Sequence, residues 1–162
     1  MKALRTLTAN AMMLTWVATA HTSTSARSQK PGELPPGDGR DTVVTICGDC
    51  HAPEQMANSR RTRVEWETMI EDMAARNNVA SDEEKKIILA YAIRNFGKVN
   101  VNTASADEIV EIVQVPAVQA AAIVDYRKKS GEFKTLDDLR NVPGLDFAKI
   151  QERKDRIGFS GP

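Results

Sequence analysis

The sequence predicts an all-α fold built from two small units, and three observations carry that expectation. Apolar residues recur at helical three-and-four spacing, Ser-x-x-Glu capping boxes open the helices, and a helix–turn–helix pattern occurs twice near the C-terminus. The 162 residues divide into a leader at 1–20, a flexible stretch at 21–40, and units at 41–97 and 98–159.

Lys2 and Arg5 start the chain, and residues 9–20 form a short, mostly apolar run with Met12, Met13, Leu14, Trp16 and Val17. Ala18-Thr19-Ala20 supplies the small residues of a signal-peptidase site, which predicts cleavage after Ala20 and a periplasmic or secreted protein. The run is short and interrupted by threonine, so no stable membrane span is expected to remain. Residues 21–40, rich in Ser, Thr, Pro and Gly, read as a linker. Loss of Lys2 and Arg5 leaves 20 basic against 22 acidic side chains, a balance that does not advertise a nucleic-acid partner.

Cys47-Gly48-Asp49-Cys50-His51 is the strongest motif, and it uses both cysteines of the chain. C-x-x-C-H is the attachment pattern of a c-type haem. The spacing puts two thiols about a helical turn apart for thioether bonds, and His51 follows as the proximal iron ligand. A thioredoxin-like pair wants a preceding strand, and zinc wants two further ligands where only His21 is left. One covalent haem c is therefore the expected cofactor.

Helices are expected over 41–51, 62–76 and 82–96, with a loop over 52–61 containing Pro53. Ser81 and Glu84 form a capping box, Leu89, Ala92, Ile93 and Phe96 share a buried face, and Gly97 ends the last helix. A unit this small has little core of its own, and a haem would add apolar mass. Met56, Met69 and Met73 are the methionines left after the leader, and Met69 and Met73 share a helix face. Spacing does not choose between them. Arg60, Arg61 and Arg63 are candidates to pair with haem propionates. The stretch Arg63-x-x-Trp66-x-x-Met69-x-x-x-Met73, with Tyr91 to Gly97, resembles small bacterial monohaem cytochrome c domains. That resemblance implies Met73 as the distal iron ligand, Met69 as the alternative, and haem contacts from Arg61, Arg63 and Trp66.

In the second unit Ser105 caps a helix with Glu108 three residues on, and Val115-Pro116-Ala117-Val118 turns into a helix over 119–129. Gly131 breaks it, Phe133 anchors the return, and Thr135 with Asp138 opens a helix over 136–141. Val142-Pro143-Gly144-Leu145 then leads into a last helix over 146–156, giving a repeat of about 27 residues from Pro116 to Pro143. Asn100-Val101-Asn102-Thr103-Ala104-Ser105, Ala122-Ile123-Val124, Gly131-x-Phe133 and Val142-Pro143-Gly144-Leu145 resemble the tandem helix-hairpin-helix domain of bacterial competence DNA receptors. The resemblance implies backbone contacts to phosphate at glycine-rich turns. Here the first turn reads Pro116-Ala117-Val118-Gln119, and the second keeps one glycine before Asp146. Gly144, Leu145 and Lys149 are the candidate DNA contacts. Ten basic and ten acidic residues from Lys98 onward predict weak, salt-sensitive binding to double-stranded DNA at best.

The expected function is thus an exported electron carrier that docks to a redox partner protein through its C-terminal unit. The alternative is a competence-receptor-like DNA-binding protein outside the cytoplasm that carries a haem domain. With His21 and His51 the only histidines, no catalytic constellation is expected.

Overall fold

The computed structural model describes residues 33–77 and 79–160, the side chain of residue 77 excepted. The expected signal peptide, its cleavage site and most of the linker lie outside the described residues. The protein is mostly helical: α1 (Arg40–Gly48), α2 (Arg63–Asn77), α3 (Asp82–Phe96), α4 (Ala106–Val113), α5 (Ala117–Ser130) and α6 (Phe147–Glu152), with 3-10 turns at Pro53–Asn58, Leu136–Asn141 and Lys154–Arg156. No helix among the described residues is long and apolar enough to cross a membrane.

The capping boxes set three starts as the sequence predicts. Ser81 Oγ accepts from Glu84 N at 3.3 Å while a Glu84 carboxylate oxygen accepts from Ser81 N at 2.8 Å. Ser105 and Glu108 repeat this at 3.2 and 2.8 Å, and an Asp138 oxygen accepts from Thr135 N at 2.9 Å. Each box satisfies amides that the first helical turn leaves without an acceptor.

One apolar core runs from Leu34 to Ile157 through both units. In the N-terminal unit, α2 and α3 pack together around fully buried Trp66, whose Nε1 donates to Phe96 O at 3.3 Å. Tyr91 Oη donates to Pro35 O at 2.6 Å, which draws Leu34 onto the core, and burial pushes its phenol up to about 12. Gly97 sits where a side chain would collide with Ile93 O, so α3 and the chain leaving it need glycine's bare Cα.

Two features depart from the all-α expectation. Val99–Asn100 (β1) pairs in parallel with Ile157–Gly158 (β2), bringing the two ends of the second unit together. Residues 136–141 are a 3-10 helix over the expected range, and the helix expected over 146–156 is replaced by the six-residue α6 and the 3-10 turn Lys154–Arg156. Arg153 takes φ −108, ψ 14, which stops α6 after Glu152.

The units are also joined by polar contacts. Arg156, 8% exposed, donates to Arg94 O at 2.7 Å, Asn95 O at 2.7 Å and Ile112 O at 3.1 Å. Three carbonyls answer a charge that would otherwise be costly to bury. Arg63 pairs with Glu111 at 2.5 Å and Arg60 with Asp155 at 2.7 Å.

Candidate nucleic-acid interface and the cysteine cleft

The second unit consists of two hairpins whose equivalent positions lie thirty residues apart, not the 27 that the prolines suggest. Caps Ser105 and Thr135, their carboxylate partners Glu108 and Asp138, and buried Ile109 and Leu139 correspond pairwise. So do the turn residues Gln114 and Gly144, at φ 61 and φ 74, and the helix caps Pro116 and Asp146. The turn marker is a left-handed backbone, and Gln114 hides it from a search for glycine. The sequence motif at Pro116-Ala117-Val118-Gln119 is therefore three residues out of register with the turn itself.

The first hairpin runs from α4 through Gln114 into α5. Gln114 Nε2 donates to Arg94 O at 3.1 Å, fastening the turn to the end of α3. Pro116 has no N–H to offer a ligand. Gln119 N and Ala120 N return to Pro116 O at 2.9 and 3.1 Å, so Ala117 and Val118 carry the first-turn amides without an intrahelical acceptor. Val118 is 76% exposed beside them.

The second hairpin runs from the turn Leu136–Asn141 through exposed Gly144 and half-buried Leu145 into α6. Three amides around its turn and helix start have acceptors within the protein. Leu145 N donates to Val142 O at 3.3 Å, Asp146 N to Gln119 Oε1 at 3.4 Å, and Lys149 N to Asp146 Oδ1 at 3.4 Å. Lys149 Nζ stands 3.8 Å from the same carboxylate. Asp146 thus caps α6, as its sequence position predicts, where a bound anion would sit. Arg140 lies 3.7 Å from the Phe147 ring centroid and pairs with Asp137 at 3.0 Å.

The charge count takes no account of two cations turned inward. Arg127 donates to Val101 O and to Ala104 O, the latter at 2.6 Å, and Arg156 is buried as described. Desolvation lowers the pKa of both guanidinium groups, Arg156's to about 10. Asn102, part of the family pattern in the sequence, ties the hairpins together. Its amide accepts from Phe133 N at 2.8 Å and donates to Phe133 O and Phe159 O at 2.8 and 3.0 Å. Lys128, Lys129, Lys134 and Lys154 are exposed and form no ion pair among the described residues.

In the N-terminal unit, Cys47, Cys50, His51 and Met73 meet on one apolar cleft of about 260 Å³, with Ile46, Ile70 and Ile88. Cys47 is half-buried and Cys50 exposed; burial, and then nearby Cys50, pushes the Cys47 thiol up. His51 Nδ1 lies 3.3 Å from Ala52 O. Met69 is packed against the core and lines a different depression with Arg61, Val64 and Met73, and Met56 is buried. The candidate haem contacts are engaged elsewhere: Trp66 with Phe96 O, Arg63 with Glu111, and Arg61 over the Trp66 ring at 5.9 Å.

Residues 94–157 match the family model of the helix-hairpin-helix motif. An uncharacterized protein of Haemophilus influenzae is 30% identical over 119 residues, 73% of this chain and 96% of that protein. ComE operon protein 1 of Bacillus subtilis is 36% identical over 59 residues, 36% of this chain and 29% of that protein. Human endonuclease/exonuclease/phosphatase family domain-containing protein 1 is 35% identical over 66 residues, 41% of this chain and 12% of that protein. The chain therefore spans under a third of the length of these last two relatives. No solved structure matches significantly.

These findings correct the electron-carrier expectation. The matched family model is helix-hairpin-helix, ComE operon protein 1 is among the relatives, and none of these comparisons indicates a cytochrome c domain or a redox partner. Among the described residues, no group of three or more His, Cys, Asp and Glu could hold a metal ion. The covalent haem c on Cys47 and Cys50 is withdrawn. Iron ligation by His51 with Met73 or Met69, and the haem contacts of Arg61, Arg63 and Trp66, go with it.

Proposed function

The chain belongs to the same family as the Haemophilus influenzae protein and carries a helix-hairpin-helix domain, and on that footing we propose that it is a non-catalytic binder of double-stranded DNA. The carrying observation is the pair of hairpins thirty residues apart, each turning through a left-handed residue into a helix. Such a turn offers outward amides to phosphate oxygens, a contact indifferent to base sequence. In the first hairpin the amides of Ala117 and Val118 are available for this. In the second, Gly144 and Leu145 let a duplex approach closely, and Lys149 supplies charge. The charged start and apolar run of residues 1–20 support a site of action outside the cytoplasm.

Binding is weak, because Pro116 removes one donor, Asp146 opposes an anion, and Arg127 and Arg156 are spent on carbonyls. Fluorescence anisotropy of the full chain with a labelled duplex at low salt tests the proposal. A dissociation constant of about 1–100 µM that weakens steadily as salt rises is expected. No change in anisotropy up to about 100 µM protein at low salt overturns it.

A further inference from the structure

The cysteine cleft lies in the N-terminal unit, away from the hairpin turns in sequence, and its chemistry stands independently of the DNA-binding reading. α1 ends at Gly48, and the chain turns at once, with Cys50 N donating to Cys47 O at 3.4 Å and His51 N to the same oxygen at 3.3 Å. A turn closed between residues i and i+3 brings their Cα atoms within about 7 Å, which overlaps the roughly 4.4–6.8 Å that a disulfide requires. Both cysteines border the same cleft, so their side chains leave the turn on one side. Their environments differ. Cys50 is exposed, while Cys47 is half-buried against Ile46, Ile70 and Ile88.

We propose that Cys47 and Cys50 form a redox-active dithiol that closes reversibly to an intramolecular disulfide on reaction with a small-molecule or protein disulfide. The exposed Cys50 sulfur attacks the oxidant's S–S bond, which breaks as a Cys50–oxidant mixed disulfide forms. The departing sulfur takes the electron pair and leaves as a thiol, and the Cys50 proton passes to solvent or to that sulfur. Cys47 then loses its proton and attacks Cys50 Sγ; the protein's S–S bond forms as the Cys50–oxidant bond breaks, and the second half of the oxidant takes that electron pair and a proton and leaves as a thiol. The protein is oxidised by two electrons, and one disulfide is reduced to two thiols. The exposure difference fixes the order of attack, with Cys50 meeting the oxidant and Cys47 resolving.

The test uses the full chain equilibrated in glutathione mixtures from reduced to oxidised, followed by acid quench, thiol alkylation and intact mass. Two alkylated cysteines in reduced glutathione are expected to give way to none in oxidised glutathione, with the chain remaining monomeric. Cys47→Ser should accumulate a glutathione adduct on Cys50 at least several-fold faster than Cys50→Ser accumulates one on Cys47. Cysteines that stay alkylatable throughout overturn the proposal. So do disulfide-linked dimers, or a stable added mass on both cysteines that reductant does not remove. Equal trapping rates in the two variants overturn the order of attack.

Discussion

The first hairpin makes its turn with a glutamine and the second with a glycine, although both turns adopt nearly the same left-handed backbone. Gln114 compensates for a conformation that costs most side chains about 1–2 kcal/mol by reaching back to Arg94 O. Gly144 needs no such anchor and is exposed. The caps differ in the opposite sense: Pro116 begins α5 with no carboxylate, whereas Asp146 begins α6 and its side chain accepts from the Lys149 amide. One hairpin thus spends a side chain on anchoring its turn, and the other spends one on capping its helix. Repetition of a fold here has preserved the backbone path while the chemistry of the two tips diverged.

The largest expected effect tests whether the two hairpins are equivalent beneath their tips. Ile109 and Leu139 are both fully buried at corresponding positions, so Ile109→Ala and Leu139→Ala should each cost about 2–5 kcal/mol in urea unfolding. A cost below about 1 kcal/mol at either site would break the equivalence. Next in size are the turns. Gly144→Ala should destabilise by about 1 kcal/mol, while Gln114→Gly should change stability by less than about 0.5 kcal/mol, since relief of strain offsets the lost hydrogen bond and added chain entropy. Equal losses in chemical denaturation would contradict the contrast.

Asp146→Asn keeps the cap and removes the charge. It should tighten duplex DNA about two- to fivefold in low-salt anisotropy, and unchanged affinity would remove Asp146 from the interface. The smallest effect is on pH dependence. Amides of Lys134 and Thr135 hold the Asp138 carboxyl below its usual 3.8. A carboxyl lowered by folding adds stability above its unfolded pKa and loses it as pH falls through its folded value. The urea midpoint should therefore decline below about pH 4, and Asp138→Asn should flatten part of that decline. Identical acid limbs in the two proteins would show that this cap contributes nothing there.

Local chemistry was the legible part of this chain. Ser81 with Glu84 and Ser105 with Glu108 form caps as read, because both partners lie within one helical turn. The repeat was legible in kind but misplaced by three residues, because proline marked the turn while the backbone that defines it was set at Gln114. The pairing of Val99 with Ile157 rests on partners 58 residues apart, for which two-residue strands leave no periodicity. Net charge misled in a specific way, since Arg127 and Arg156 count as surface cations only until their carbonyl partners are known. The cysteine motif suggested a covalent haem; the structure shows Cys47, Cys50, His51 and Met73 on one cleft. The cofactor inferred from it was not upheld, because motif chemistry was extended to a whole domain that the relatives do not indicate.

Arg156 gives the molecule a property that neither unit has by itself. Its guanidinium grips the carbonyls of Arg94 and Asn95, sixty-odd residues earlier in the chain, and that of Ile112 in α4. The 3-10 turn Lys154–Arg156 therefore closes a loop around the junction of the two units, as a pin closes a hinge. On the proposed reading, a duplex bound at the hairpins would find the cysteine cleft tied to them through this pin.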